Sequence, residues 1–359
     1  MRPLAALLLL LALPGRAGAA DQPPRDPPSL RRGLPATGAS VFPGLVLHGS
    51  GHFVAGDRRT GYRLLAMEGV GAGLTLGGFA ALAATGASRQ LSPPIFAMPV
   101  AGLGLFLISW LADVHGVTAP ESWRGSPLLS APTVEARLGT RYVYDPTIDY
   151  GTLLGPSFDL RWGRMRLSPA AWIATSGHNL RFNLELGWRV FGPRPWWPAT
   201  DGSFAEVVVG ATHHRFREDF DLTVLEAGAR GRYDLRRFAP SLDGTFADWG
   251  LGLGWALTHF QVGAREIDAQ GLLLARFGWG LYLGHAPGQT GEVMAYYDHR
   301  HDDYAGGAKL TGLGSGAAGH VGLEGTWYFL QRWGVRAEVQ AGSVYLAGLS
   351  VIHRSAVGP

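Results

Sequence analysis

Imidazole and carboxylate side chains cluster in one short polar segment, residues 297–303. His299 and His301 would share a face if this segment is extended, and with Asp302 they form a ligand set that suits zinc, copper or nickel. More histidines and acids occur in residues 213–219. Because the ligand spacing is not diagnostic, the pattern indicates either a metal site at His299, His301 and Asp302 or a solvated charged loop.

Serine and histidine could support a second chemistry, the hydrolysis of a lipid ester on a membrane-facing wall. The sequence contains no Gly-x-Ser-x-Gly elbow. The candidates are Ser168, Ser315 and Ser343, with His320 or His353 as the base. Their spacing in the sequence does not pair any of these serines with a histidine. Each serine is therefore either a nucleophile or an ordinary strand or turn hydroxyl.

Composition narrows the chemistry further. The chain has no cysteine, which excludes disulfides, Cys-ligated zinc and thiol catalysis. No cofactor is predicted, because the Gly49-x-Gly51 pair follows no strand and precedes no lysine, unlike a phosphate-binding loop. The 31 basic residues are arginines apart from Lys309, and they are spread along the chain, so we expect no nucleic-acid partner.

Beyond residue 130, apolar and polar side chains alternate with a period of two, which predicts that β-strands position these residues. In residues 180–190, every second side chain is apolar and those between them are polar or small. The same pattern recurs in residues 247–258, 273–283, 320–329 and 335–340. Each run is about ten residues or slightly longer, the span of a tilted transmembrane strand, and tryptophans lie near strand ends.

These runs predict an antiparallel up-and-down transmembrane β-barrel over residues 131–354. The predicted strands are 134–144, 153–162, 165–174, 180–191, 203–216, 220–236, 246–260, 269–285, 291–300, 316–330, 333–342 and 344–353. That gives twelve strands, and ten remain possible. An even number places both barrel ends in the periplasm, with the short turns 163–164 and 331–332, while 145–151, 217–219 and 302–314 are external.

The alternation and the strand-end tryptophans of residues 130–359 resemble those of Gram-negative outer-membrane β-barrels. The chain departs from that class at its end, Val357-Gly358-Pro359, where such barrels often carry an aromatic residue. The resemblance implies an outer-membrane location, with membrane lipid and the barrel assembly machinery as partners.

Charged residues of both signs fall on the face of the strands opposite to the apolar one. The predicted lumen-facing set is Arg137, Arg141, Asp159, Arg161, Arg181, Glu185, Arg189, Arg276, Glu324, Arg336 and Glu338. Mixed charge is compatible with a salt-bridged plug or with a weakly anion-preferring pore. We expect the plugged or narrow state, because twelve strands enclose little space once arginines fill it.

The N-terminal segment predicts export. A basic residue, an apolar run over 4–13 and a small-residue stretch over 17–20 form the pattern of a signal peptide, residues 1–20. Residues 21–40 contain five prolines and are predicted to be a linker. A second linker is expected over 118–130.

Two long apolar stretches within residues 41–117 predict an α-helical hairpin. Gly69, Gly73 and Gly77 have four-residue spacing and are predicted to form a strip for close helix packing. Glu68 is expected inside the hairpin or against the barrel. His48 and His52 before it form either a metal chelate or a cap and turn. The Pro43-Gly44, Gly49-x-Gly51-His52 and Gly56-Asp57-Arg58 elements together resemble the entry to the two-helix membrane hairpins of uncharacterised bacterial envelope proteins.

The sequence therefore predicts an outer-membrane β-barrel, porin-like, with a structural or small-solute passage role and an unidentified ligand. Two alternatives remain open. One is an outer-membrane lipid-modifying hydrolase. The other is an inner-membrane-anchored envelope protein with a periplasmic β domain, because apolar helices such as residues 95–112 tend to be retained in the inner membrane during export.

Overall fold

A computed structural model describes residues 33–85, 92–118, 127–145, 151–217, 220–260, 267–284, 290–300, 304, 308–310 and 314–355. Within these ranges an N-terminal helical region precedes an antiparallel barrel. The predicted signal peptide and the first part of the predicted linker lie outside the described residues.

The helical region contains α1 (Leu34–Val41), α2 (Ser50–Ala55), α3 (Arg58–Ala84) and α4 (Ser92–Thr118). The linker prediction is wrong for residues 34–40, which lie in α1 and bury Ala36 and Ser40. Proline content is misleading at this point because Pro35 stands in the first turn of the helix, where an absent N–H group costs nothing. At the start of α3, the Asp57 side chain accepts a hydrogen bond from the Thr60 N–H at 3.1 Å.

Twelve strands close into one barrel, which confirms the predicted fold class and strand number. They are β1 (Val134–Tyr144), β2 (Gly151–Trp162), β3 (Met165–Ala174), β4 (Leu180–Phe191), β5 (Phe204–Arg217), β6 (Phe220–Asp234), β7 (Thr245–Phe260), β8 (Ile267–Leu283), β9 (Thr290–Asp298), β12 (His320–Tyr328), β13 (Trp333–Ala341) and β14 (Tyr345–Arg354). β1 pairs with β14, so the sheet has no free edge. The predicted tenth strand is too long, because the chain between β9 and β12 forms a separate hairpin of β10 (Ala308–Leu310) and β11 (Gly314–Ala318).

The barrel has two rims. The terminal rim carries the beginning of β1 and the end of β14, and there β2 joins β3, β4 joins β5, β6 joins β7, β8 joins β9 and β12 joins β13. The opposite, loop rim is where the remaining strands join, including β9 with β12. The predicted short turns lie at the terminal rim, and the predicted external segments join strands at the loop rim.

The outer face of the barrel is apolar and unburied. Leu138 is 67% exposed, Leu253 58% and Leu349 56%. In water, leaving this much apolar area exposed would forgo about 25 cal/mol per Å². A continuous belt of such side chains around a closed sheet suits contact with lipid.

The helices pack on this outer face near the terminal rim. Leu64 of α3 and Ile108 of α4 are buried together with Leu242, which lies between β6 and β7. Trp279 of β8 packs against the same cluster. A Cβ at Gly104 of α4 would overlap the Trp279 indole, so the helix backbone lies directly on the barrel wall. By length and composition, Arg58–Ala84 and Met98–Thr118 could each span a membrane.

The glycines that bring α3 and α4 together differ from the predicted ones. A Cβ at Gly71 would meet the Phe106 N at 2.7 Å and the Gly102 O at 2.8 Å. Gly78 similarly approaches Pro99. The predicted strip of Gly69, Gly73 and Gly77 does not form this contact, because a Cβ at any of these positions meets nothing within 4 Å. Helix α3 carries glycines on more than one face, and spacing alone did not identify the face that α4 covers.

Candidate functional site

The inner face of the barrel carries a dense array of arginines and carboxylates. The structure places the eleven predicted lumen residues on this face, Arg137, Arg141, Asp159, Arg161, Arg181, Glu185, Arg189, Arg276, Glu324, Arg336 and Glu338. Most of them form ion pairs within the described part of the chain, and the Arg181 guanidinium lies 5.4 Å from the Tyr304 ring centroid. The lumen is thus lined by paired charges.

One hub of this array is Glu206 of β5, which is buried at 1% exposure. Its carboxylate accepts hydrogen bonds from Arg166 Nε at 2.7 Å and Arg230 Nη2 at 3.2 Å, and it lies 2.8 Å from Arg189 Nη2. Arg166 also pairs with Asp159 at 3.0 Å. Three cations around one buried carboxylate make the loss of that carboxylate costly.

Two arginines, Arg232 and Arg276, also pair with carboxylates on strands that are not their neighbours. Arg232 of β6 binds Asp248 of β7 at 2.7 Å and Glu292 of β9 at 2.5 Å. Arg276 and Arg336 converge on Glu324, at 3.2 and 2.7 Å. Because β6 and β9 are separated by two strands, the Arg232–Glu292 pair can form only through the interior.

The predicted lumen set lacks six further residues of the array, Arg166, Glu206, Arg230, Arg232, Asp248 and Glu292. Each occupies the inward position of its strand, opposite an inward residue of the next one, as the Glu206–Arg230 and Arg232–Asp248 pairs show. The period-two alternation that located the other arginines therefore contained the signal for these six as well.

An apolar cluster fills the lumen near the loop rim. Val143, Leu153 and Trp172 from three strands pack around Tyr304, which comes from the long connection between β9 and β12. The Tyr304 hydroxyl donates to Asn179 Oδ1 at 3.0 Å. A residue from a strand connection thus enters the barrel mouth. This position could not be predicted, because Tyr304 belongs to no periodic pattern in the sequence.

Aromatic side chains also narrow the lumen toward the terminal rim. Phe246, Tyr282, Met294 and Tyr296 form a buried cluster there. The Arg232 guanidinium stacks 3.7 Å above the Phe246 ring, which joins this cluster to the charged layer. Packed layers therefore lie at both ends of the ion-paired array.

The structure describes one of the three predicted metal ligands, His299. His301 and Asp302 lie outside the described residues, and the Nδ1 of His299 lies 2.8 Å from the Tyr297 hydroxyl. Among the residues that the structure describes, no group of three or more His, Asp or Glu side chains could hold a metal ion. A metal site at His299, His301 and Asp302 stays a prediction.

The candidate serines of a hydrolase are dispersed. Ser168 donates to Asp159 and accepts from Arg166 within the ion-paired array. Ser343 lies in the connection between β13 and β14, and Ser315 lies in β11. His353 packs edge-on against Trp333 at 4.6 Å, near the terminal rim. Ser168 and His353 thus have other structural partners.

A second polar cluster lies in the helical region around Asp113 of α4, which is completely buried. Its carboxylate accepts hydrogen bonds from the backbone N–H groups of Gly49 at 2.9 Å, Gly51 at 3.1 Å and His52 at 3.1 Å, and it contacts His52 Nδ1 at 2.7 Å. Gly49 has a φ of 87° and lies against the Gly61 backbone, so this position requires glycine.

His48 belongs to the same cluster. Its Nδ1 lies 2.6 Å from the Ser109 hydroxyl, and its backbone N–H donates to Glu68 Oε2 at 2.8 Å. Burial lowers the pKa of His48, although the nearby Glu68 carboxylate partly opposes that shift. Both motif histidines therefore take part in turn and helix packing, and Glu68 faces the turn before α2.

Solved structures similar to this chain include the outer membrane protein Omp33 of Acinetobacter baumannii (11% identity, TM-score 0.31), the KdgM porin (8%, 0.35) and the translocator domain of the autotransporter NalP from Neisseria meningitidis (12%, 0.36). The matches cover 62%, 62% and 63% of this chain, and 98%, 99% and 90% of those chains. No family model and no curated protein matches the sequence.

Proposed function

We propose that this protein is an outer-membrane barrel that is closed to steady ion flow and has a structural role in the cell envelope. The observation that carries the proposal is the ion-paired lumen, in which arginines and carboxylates from non-neighbouring strands meet, as Arg232 and Glu292 do at 2.5 Å. A side-chain network that bridges the interior occupies the space through which solutes would pass.

Two further features support the closed state. Near the loop rim, Tyr304 packs among inward-facing apolar side chains and is 4% exposed. Near the terminal rim, Phe246 is fully buried beside Tyr282. A dissolved ion would have to displace apolar groups at both ends and also separate paired charges between them.

The outer face supports the proposed location. A belt of exposed leucine and aromatic side chains surrounds the barrel, and a concavity of about 480 Å³ between β2 and β6 is lined mainly by apolar groups such as Phe158 and Phe182. Lipid chains would fill such a surface without the cost of hydrating it. Membrane fractionation should place the protein in the outer membrane, with a mobility shift between unheated and heated samples.

Planar-bilayer recording tests the closed lumen. We expect the purified protein to show no steady conductance. The triple variant Arg232→Ala/Asp248→Ala/Glu292→Ala removes all three members of one bridge, so that neither carboxylate is left without its arginine, and it should raise the open probability. Stable currents from the unaltered protein would overturn the closed-lumen proposal and favour small-solute passage.

A further inference from the structure

A small cavity of about 70 Å³ lies in the lumen, against the inner face of the five adjacent strands β13, β14, β1, β2 and β3. It exists because small residues meet there. Ser350 of β14 pairs with Gly139 of β1, and Ser157 lies two positions from Gly155 on β2. A Cβ at Gly139 would overlap the Ser350 hydroxyl, so a side chain at position 139 would take the space that this hydroxyl occupies. The cavity has room for a few water molecules.

The lining of this cavity is rich in arginine. Three arginines, Arg137, Arg141 and Arg336, surround it, and Glu338 is the single carboxylate among the described residues of its lining. The other acids that neutralise these arginines bind them from outside the cavity, as Asp159 does with Arg137 at 2.9 Å. Within the described lining, arginines therefore outnumber carboxylates three to one.

The guanidinium groups are held in place before any ligand arrives. Arg141 lies 4.0 Å from the centroid of the Trp172 ring and 3.0 Å from Glu338. Arg336 is anchored by Glu324 at 2.7 Å. Preorganised donors lose little conformational entropy on binding, which favours affinity.

Solvent reaches these groups even though they lie inside the barrel. The side chains of Arg137, Arg141 and Arg336 are 26%, 24% and 26% exposed. The hydroxyls of Ser157 and Ser350 line the same cavity and can each donate one further hydrogen bond. Guanidinium and hydroxyl donors around a small space match the oxygens of a small oxyanion.

We propose that this cavity binds a small oxyanion of the phosphate class. A metal cation is disfavoured by the three arginines, and an apolar ligand by the polar lining. The inference goes beyond the proposed structural role and does not depend on steady conduction, since binding requires entry past one rim only, whereas passage requires that both rims and the ion-paired array open.

Calorimetric titration of the purified, folded protein with inorganic phosphate, at constant ionic strength in chloride, tests the site. We expect saturable binding, and about tenfold weaker binding in Ser157→Ala/Ser350→Ala, which keeps every ion pair but removes two hydroxyl donors. Thr212→Ala is the matched control, because Thr212 is a lumen hydroxyl bound by Asn183 at 2.7 Å and lies outside the cavity.

A second variant, Ser157→Leu, fills the cavity and should abolish binding while the barrel keeps its heat-dependent mobility shift. Titration with acetate tests whether a planar carboxylate is also accepted, which would support a general oxyanion site. Absence of phosphate binding by the unaltered protein overturns the proposal. So does an unchanged affinity in the folded serine double variant.

Discussion

The barrel lumen and the helical region both bury polar groups, but they distribute them in opposite ways. In the lumen, many charged groups have several partners, and the single arginine Arg166 contacts Asp159, Glu185 and Glu206. In the helical region, one carboxylate, Asp113, holds three backbone N–H groups and one imidazole. A shared network tolerates the loss of one member better than a single centre does.

The largest loss of stability is therefore expected when Asp113 is substituted. Asp113→Ala leaves the amides of Gly49, Gly51 and His52 buried without an acceptor, and we expect the helical region to lose about 3–5 kcal/mol. Limited proteolysis should cleave residues 34–118 while the barrel keeps its heat-dependent mobility shift. Asp57→Ala, which removes only the α3 cap, is the control and should cost about 1 kcal/mol. Equal protease resistance of the two variants would contradict the single-centre interpretation.

Within the lumen, Glu206→Gln tests the shared network. The amide still accepts one hydrogen bond, and Arg166 and Arg230 keep Glu185 as a partner, so we expect a loss of about 1–3 kcal/mol. The midpoint of urea unfolding, followed by the mobility shift, measures it. Glu292→Gln should cost less, because its partner Arg232 keeps Asp248 at 2.7 Å. A loss at Glu206 as large as that at Asp113 would remove the contrast between the two regions.

Gly71 and Gly73 of α3 differ in their contact with α4, although their spacing in the sequence does not distinguish them. Gly71→Leu should force α3 and α4 apart at a cost of about 1–3 kcal/mol, because the new side chain meets the α4 backbone. Gly73→Leu should leave the contact intact, since nothing lies within 4 Å of its Cβ. Cysteine pairs placed across the helices report the separation by crosslinking, in a chain that has no native cysteine. Equal crosslinking in both variants would refute the assigned face.

The smallest expected effect is a pH dependence confined to the helical region. Burial lowers the pKa of His48, so the folded state binds the proton less readily than the unfolded state. Stability is then complete above the ordinary histidine pKa of about 6.5 and falls as the pH drops below it, by less than about 1.4 kcal/mol per pH unit. Hydrogen exchange of residues 34–118 between pH 7 and pH 5 measures the loss. A His48→Gln variant should flatten the profile, and an unchanged profile would assign the dependence to another group.

The barrel lumen and the helical region also differ in how far the sequence predicts their contacts. A strand places alternate residues on opposite faces, so the lumen positions of Arg137 and Glu338 followed from period-two alternation alone. The contacts of Asp113 with Gly49 and His52 join residues more than 60 positions apart. No local period encodes such a contact, and the same reason hid Tyr304 in the barrel mouth and the face of α3 that carries Gly71.

The contact of Gly104 with Trp279 has a consequence for the order of assembly. Trp279 pairs with Ala247 of β7 and Ala295 of β9, so the wall on which α4 rests is incomplete until three strands have joined. The helices come first along the chain, yet their docking surface is made from residues more than a hundred positions later. The helical region precedes the barrel in the chain, yet it cannot reach its final place until β7, β8 and β9 have joined. Until then its apolar face needs a temporary cover, such as lipid or a chaperone.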